Sequence, residues 1–99
     1  MKLLLAERAQ RQIAKIEEFW FEHRFDAATL FTDELAATFH MLATVRQAGA
    51  RWPTPQRPAL RRILMPRSSN HVYFVVDEAS QTIHVLAVWG AKKRRTPKL

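Results

Sequence analysis

The sequence predicts an α+β domain in which two helices pack on one face of a mostly antiparallel sheet. Two apolar patterns near the start of the chain repeat at helical spacing, whereas the second half contains short apolar segments separated by turn residues. The predicted order is one strand, two helices and three strands. Because 99 residues suit a single core, we expect residues 1–99 to form one domain, with 90–99 as a basic tail.

The first two elements are a short strand at Lys2–Ala6 and a helix from Glu7 to about Arg24. The helix is predicted because its apolar side chains recur on one face, whereas charged side chains occupy the others. The residues on the apolar face are Ala9, Ile13, Ile16 and Trp20.

A second helix is predicted to open at Ala27, with Asp26 as its N-cap, and to stop before Gly49. The short joint between the helices predicts an antiparallel helical hairpin. Three prolines then make Arg51–Pro58 a stiff connector, since proline suits neither a helix interior nor a central strand. We expect Trp52 in this connector to pack inward.

Three further strands are predicted at Leu60–Met65, His71–Asp77 and Thr82–Trp89, the last two forming a hairpin around Glu78–Gln81. In the first hairpin strand, one face carries Val72, Phe74 and Val76, and the other carries Tyr73 and Val75. In the second strand, strict alternation sets Ile83, Val85, Ala87 and Trp89 against Leu86 and Val88. Strands that are apolar on both sides indicate a sheet buried on both faces. Two helices cover one face, so the connector, a second copy of the chain or a partner must cover the other.

Composition narrows the classes of function. The absence of cysteine excludes disulfides and thiolate metal sites and fits the reducing cytoplasm. The apolar start of the chain ends at Glu7, which is too early for a signal peptide, and no stretch has the length of a membrane span. The histidines are too scattered for metal-ligand spacing. We therefore expect a cytoplasmic protein with no metal, no other cofactor and no membrane contact.

Charge is distributed unevenly along the chain. Residues 1–48 carry a net charge of −1 and residues 49–99 a net charge of +8, which indicates an acidic partner, either nucleic acid or protein. The densest positive charge is formed by Lys92, Lys93, Arg94, Arg95 and Lys98. These side chains could bind phosphates, or the carboxylates of a protein, or they could form a solvated tail without a partner.

From Arg62 onward the sequence resembles the RelE/ParE superfamily of bacterial toxins. The similarity rests on an Arg-led strand at Arg62–Arg67, a strand at Asn70–Asp77 and the strand Ile83–Trp89 before a basic C-terminus. The opening strand, followed by Glu7-Arg8-Ala9 and an amphipathic helix, is also similar to the family.

This resemblance implies the toxin of a type II toxin–antitoxin module, and a cognate antitoxin that wraps over the uncovered face of the sheet. On this basis the residues expected to bind the antitoxin are Arg62, Tyr73, Val75, Leu86, Val88 and Trp89. ParE-like members of the family poison DNA gyrase, whereas RelE-like members cleave mRNA on the ribosome. In a ParE-like toxin, the positively charged residues expected to bind gyrase would be Arg67 and those of the basic tail.

Cleavage of RNA without a metal needs a base, an acid and a cation that stabilises the phosphorane. Arg67, His71 and Tyr73 are the residues that could supply them in a RelE-like enzyme. The chain departs from the RelE-like pattern, because Ala87 lies in the last strand where an arginine is usual, Gly90 follows that strand, and no tyrosine follows Tyr73. We therefore favour a ParE-like toxin that binds rather than cleaves. A RelE-like nuclease and a non-toxic basic interaction module remain the alternatives.

Overall fold

The computed structural model describes all 99 residues and confirms the α+β fold. The elements are β1 (Lys2–Leu5), α1 (Glu7–His23), α2 (Leu30–Thr44), β2 (Ala50–Arg51), β3 (Arg61–Met65), β4 (Asn70–Asp77) and β5 (Thr82–Gly90). A 3-10 turn at Phe25–Ala27 joins the two helices. Neither helix has the length and apolar character that crossing a bilayer requires. The order matches the predicted one, with β2 added at the start of the connector.

The five strands form one mixed sheet in the order β1-β5-β4-β3-β2. Three of the four strand pairs are antiparallel, but β1 pairs with β5 in parallel, from Lys2 opposite Thr82 to Leu5 opposite Val85. Two parallel strands must be joined by a long crossover connection. Between β1 and β5, that connection contains both helices and the other three strands. The predicted three-stranded sheet is thus extended by one strand on each side.

The helices cover one face of this sheet and build the main core with it. Ala9 of α1 is completely buried, so this helix approaches β5 closely. The other buried members of this core are Trp20, Phe31, Leu35, Leu42, Met65, Val72, Phe74, Ile83, Val85 and Val88. The apolar face predicted for α1 therefore faces the sheet.

The second helix is shorter than the sequence pattern predicts. It begins at Leu30, because Asp26 lies in the 3-10 turn and does not cap the helix, and it ends at Thr44, where Val45 adopts an extended backbone. Gly49 does not end the helix, because it lies five residues beyond Thr44. Its φ is +78°, and a Cβ there would lie 2.7 Å from the carbonyl oxygen of Arg62. Only glycine lets the connector pass this close to β3.

A β-bulge changes which residues of β5 face the helices. Tyr73 pairs with Ala87, but Phe74 pairs with Val85, so Leu86 is an extra residue in β5. An extra residue reverses the alternation beyond it. Val88 consequently packs in the main core, whereas Ala87 and Trp89 join Leu86 on the opposite face. The strict alternation predicted for this strand is wrong from Leu86 onward.

The turn between β3 and β4 is held to α2 by one carboxylate. Glu34 accepts hydrogen bonds from the backbone N–H groups of Arg67 and Ser68, at 2.8 and 2.9 Å. We expect Glu34→Ala to lower the free energy of unfolding by about 1.5 kcal/mol, because both donors lose a charged acceptor. Urea denaturation measures the change. Glu18→Ala removes an exposed carboxylate of α1 and should change the stability by less than about 0.5 kcal/mol. Equal effects of the two substitutions would contradict this account.

Candidate partner-binding face

The side of the sheet that points away from the helices, here called the second face, carries its own small apolar cluster. Leu60, Tyr73 and Ala87 are buried at its centre. The partly buried residues around them are Val75, Leu86, Trp89 and Leu99. Leu64 lies at the rim, opposite His71 in the register, and is 49% exposed. The second face is therefore closed at its centre and still offers apolar surface around it.

Arg62 lies at the centre of a cation–aromatic group on this face. It is opposite Tyr73 in the register, and its Nη1 donates to the Tyr73 hydroxyl at 3.2 Å. Its guanidinium also lies 3.4 Å from the ring centroid of Trp52, which the connector places above it. The backbone N–H of Trp52 donates to Leu60 at 2.9 Å, and this contact anchors the connector. Arg62 is thus half-buried and fixed in position, and it adds positive charge to an apolar surface.

His71 lies beside this group, with its ring 6.0 Å from that of Tyr73 in an edge-to-face arrangement. Burial, and secondly the positive charge of Arg62, lower the pKa of His71 below its ordinary value of 6.5. The lowered pKa favours the neutral imidazole of His71 at pH 7, and in that form the side chain can accept a proton.

The lowered pKa of His71 predicts a dependence of stability on pH. Because the unfolded chain binds this proton more readily, the unfolding free energy should be fully retained above pH 6.5 and should fall as the pH drops below it. An NMR titration should give a midpoint below 6.5 for His71 and a higher midpoint in Arg62→Gln. In His71→Gln, this part of the pH dependence of unfolding should disappear. A His71 midpoint at or above 6.5 would contradict the assignment.

The basic tail is folded onto the domain. The Trp89 indole Nε1 donates to the carbonyl of Arg95 at 2.8 Å, and Lys93 Nζ lies 4.3 Å from the centroid of the Trp89 ring. Further along, Arg8 Nη1 donates to the carbonyl of Lys98 at 2.6 Å. Pro97 is buried, and Leu99 packs against the cluster of the second face. The tail backbone is thus anchored at several points, while the side chains of Lys92, Arg94, Arg95 and Lys98 remain exposed.

Arg67 lies in the turn between β3 and β4 with an exposed side chain. The same turn meets the start of the tail, because the N–H of Ala91 donates to the carbonyl of Ser69 at 2.8 Å. The start of the basic tail therefore lies at the same end of the sheet as Arg67. Their combined positive charge makes this end suited to an acidic partner.

The sequence-predicted site residues fall into separate groups. Arg62, Tyr73, Val75, Leu86 and Trp89 share the second face, whereas Val88 is 1% exposed and packs in the main core under the helices. The three nuclease candidates, Arg67, His71 and Tyr73, do not form an accessible catalytic group. Tyr73 is 1% exposed and its hydroxyl is bonded to Arg62.

Two residues of this face did not follow from the sequence pattern. Trp52 is 38% exposed and stacks on Arg62 instead of packing inward, because the proline-rich connector runs along the surface. Leu64 is exposed on β3, beyond the short edge strand β2, which pairs only with Arg61 and Arg62. The one feature of the sequence that indicated exposed apolar side chains on this face was the apolar character of both sides of the strands.

Comparison with known proteins finds similarity of structure alone. No protein-family model and no curated protein matches this sequence. A chain of the chromosomal ParDE TA system from P. aeruginosa superimposes with a TM-score of 0.72 at 18% identity, over 93% of this chain and 97% of that one. The isolated E. coli RelE toxin superimposes with a TM-score of 0.63 at 17% identity, over 95% of this chain and 87% of the toxin. The fold expected from the sequence resemblance is therefore confirmed over nearly the whole chain.

Proposed function

We propose that this chain, which has the fold of the ParE and RelE toxins, is the toxin of a type II toxin–antitoxin module. The proposal rests on the second face. A chain with this fold carries there partly exposed apolar side chains and an arginine held in place by a hydrogen bond. A monomer gains nothing from leaving such a surface in water, whereas a protein regulated by a tight partner needs one.

The antitoxin is proposed to cover the second face around Trp89, Leu86, Val75 and Leu64. These side chains are exposed or half-buried and surround the closed centre of the face. Arg62 and Tyr73 would support the contact from below, because both are fixed by their mutual hydrogen bond. Val88 is left out of the proposed interface because it is enclosed by the main core.

The target is proposed to be DNA gyrase, the target of ParE-like toxins, and the proposed contacts are Arg67 and the exposed cations of the tail. This proposal is supported by the chemistry of the side chains at these positions. Lysine and arginine side chains in water stay protonated at neutral pH, so the tail offers charge without a base. The lowered pKa of the half-buried His71 favours its neutral form, and the Tyr73 hydroxyl is occupied by Arg62. These groups favour binding over RNA cleavage.

A RelE-like ribonuclease that acts on ribosome-bound mRNA is the second candidate. It is favoured by the stacked Trp52–Arg62 pair beside His71, since aromatic and cationic groups together bind single-stranded nucleic acid well. For this candidate, Arg67→Ala and His71→Ala should each abolish cleavage. The third candidate is a non-toxic basic interaction module, which would share only the fold.

Expression of the chain alone in a bacterial cytoplasm separates the three candidates. The proposal expects growth to stop together with DNA replication while translation continues at first. An early arrest of translation would favour the nuclease. Unimpaired growth at a high level of folded protein would favour the interaction module.

A further inference from the structure

A cleft lies on the helix side of the sheet, away from the second face. This α2-end cleft has a volume of about 380 Å³ and lies beyond the C-terminal end of α2. Its floor is formed by Phe74, Val76 and Ile83 of the central strands, and Leu42 and Val45 line its wall. The cleft exists because α2 ends at Thr44 and leaves this part of the sheet without a helix above it. Its volume lies within the range of small-molecule sites.

The rim of the cleft is strongly cationic. Arg46, Arg51 and Arg61 line it, and Glu78 is the one carboxylate among the lining residues. Arg61 is fixed, because its guanidinium donates to the carbonyls of Ala48, Gln47 and Gly49 at 3.3, 3.1 and 2.9 Å. The apolar floor thus lies directly beside a preorganised positive charge.

Two of the rim arginines remain available to a ligand. Arg46 lies 3.9 Å from Glu78, but both side chains are well exposed, and such pairs contribute little. Arg51 lies on the edge strand β2, is exposed, and forms neither a hydrogen bond nor an ion pair through its side chain. A carboxylate is a natural partner for such a group, since the guanidinium can donate two parallel hydrogen bonds to it.

We infer that the α2-end cleft binds a small monocarboxylate that carries an apolar chain or ring. A bare phosphate would satisfy the arginines but leave the exposed apolar surface of Val45 and the half-buried Val76 uncovered, above the buried Phe74 and Ile83. A neutral apolar molecule would cover the floor and leave the positive rim unpaired. A carboxylate head group matches this rim, because the unpaired guanidinium of Arg51 can donate two parallel hydrogen bonds to it.

Titration of the full chain with decanoate, below its micellar concentration, tests this inference. Calorimetry is expected to show binding, and amide chemical shifts should change around Val45 and Arg51. Decanol and decyltrimethylammonium serve as ligands with the same apolar chain and no negative charge, and both should bind about tenfold more weakly.

Two variants and a matched control define the site. Arg51→Ala and Val45→Asp change exposed residues of the cleft and should each weaken decanoate binding about tenfold, the second by charge repulsion. Arg57→Ala removes an exposed arginine of the connector and should leave the affinity unchanged. Equal affinity of the Arg51 and Arg57 variants, equal binding of decanol, or no binding of decanoate would each overturn the inference. None of these outcomes depends on whether the chain arrests growth.

Discussion

Leu64→Asp is expected to weaken the complex with the cognate antitoxin at least about 100-fold. Leu64 is 49% exposed at the rim of the second face, so its replacement should be tolerated in the free chain, where water solvates the new carboxylate. An antitoxin that covers this face would bury that charge without a partner, at a cost of about 3 kcal/mol or more. The dissociation constant of the purified complex measures the effect, and loss of growth protection by the antitoxin should accompany it.

The matched control for this substitution is Phe21→Asp. Phe21 is 62% exposed on α1, so it receives the same new charge at a similarly exposed apolar position outside the second face. Its complex with the antitoxin should keep an affinity within about twofold of the original. An equal loss of affinity in both variants, or no loss in Leu64→Asp, would show that the antitoxin does not cover the second face.

Neutralising the exposed tail cations is expected to reduce inhibition of gyrase more than tenfold. The variant carries glutamine at Lys92, Arg94, Arg95 and Lys98, whose side chains are exposed and form no hydrogen bonds within the domain. The tail backbone should stay in place, because Trp89 and Arg8 bond to its carbonyl groups. Lys93 is kept because it stacks on Trp89. The loss reflects weaker attraction to an acidic partner, so added salt should inhibit the original protein in the same way.

A second variant with the same net charge separates position from total charge. It carries glutamine at four exposed cationic positions outside the tail, Lys2, Arg11, Lys15 and Arg57. Concentration-dependent inhibition of supercoiling should then remain close to that of the original protein. If both variants lose the same activity, general electrostatic attraction explains the result and the tail has no special role.

Local patterns in the sequence predict the elements of this fold well, but they predict individual faces less well. The helical face of α1 and the alternation of β4 agree with the structure, because both follow a regular period over their whole length. The β5 pattern fails at Leu86, where the bulge inserts one residue and exchanges the faces of Ala87 and Val88. Every residue of that strand beyond His84 is apolar or glycine, so no polar position marks the change of face.

The sequence also predicts the need for a partner-binding face better than it predicts which residues form that face. The sequence indicates that the second face needs a cover, and the structure places the end of the tail over part of it through Leu99. A run of Lys and Arg is typical of a solvated tail, and the contacts that hold this one are mostly to its backbone. Stacking of Trp52 on Arg62 likewise depends on the path of the connector, which residue types alone do not specify.

Parallel assays of the purified chain on two targets test the central claim most directly. One assay follows supercoiling of relaxed plasmid by DNA gyrase, and the other follows the integrity of mRNA bound to translating ribosomes. The account predicts that the chain blocks supercoiling, that prior addition of the cognate antitoxin prevents the block, and that the mRNA stays intact. Cleaved mRNA together with normal supercoiling would contradict it.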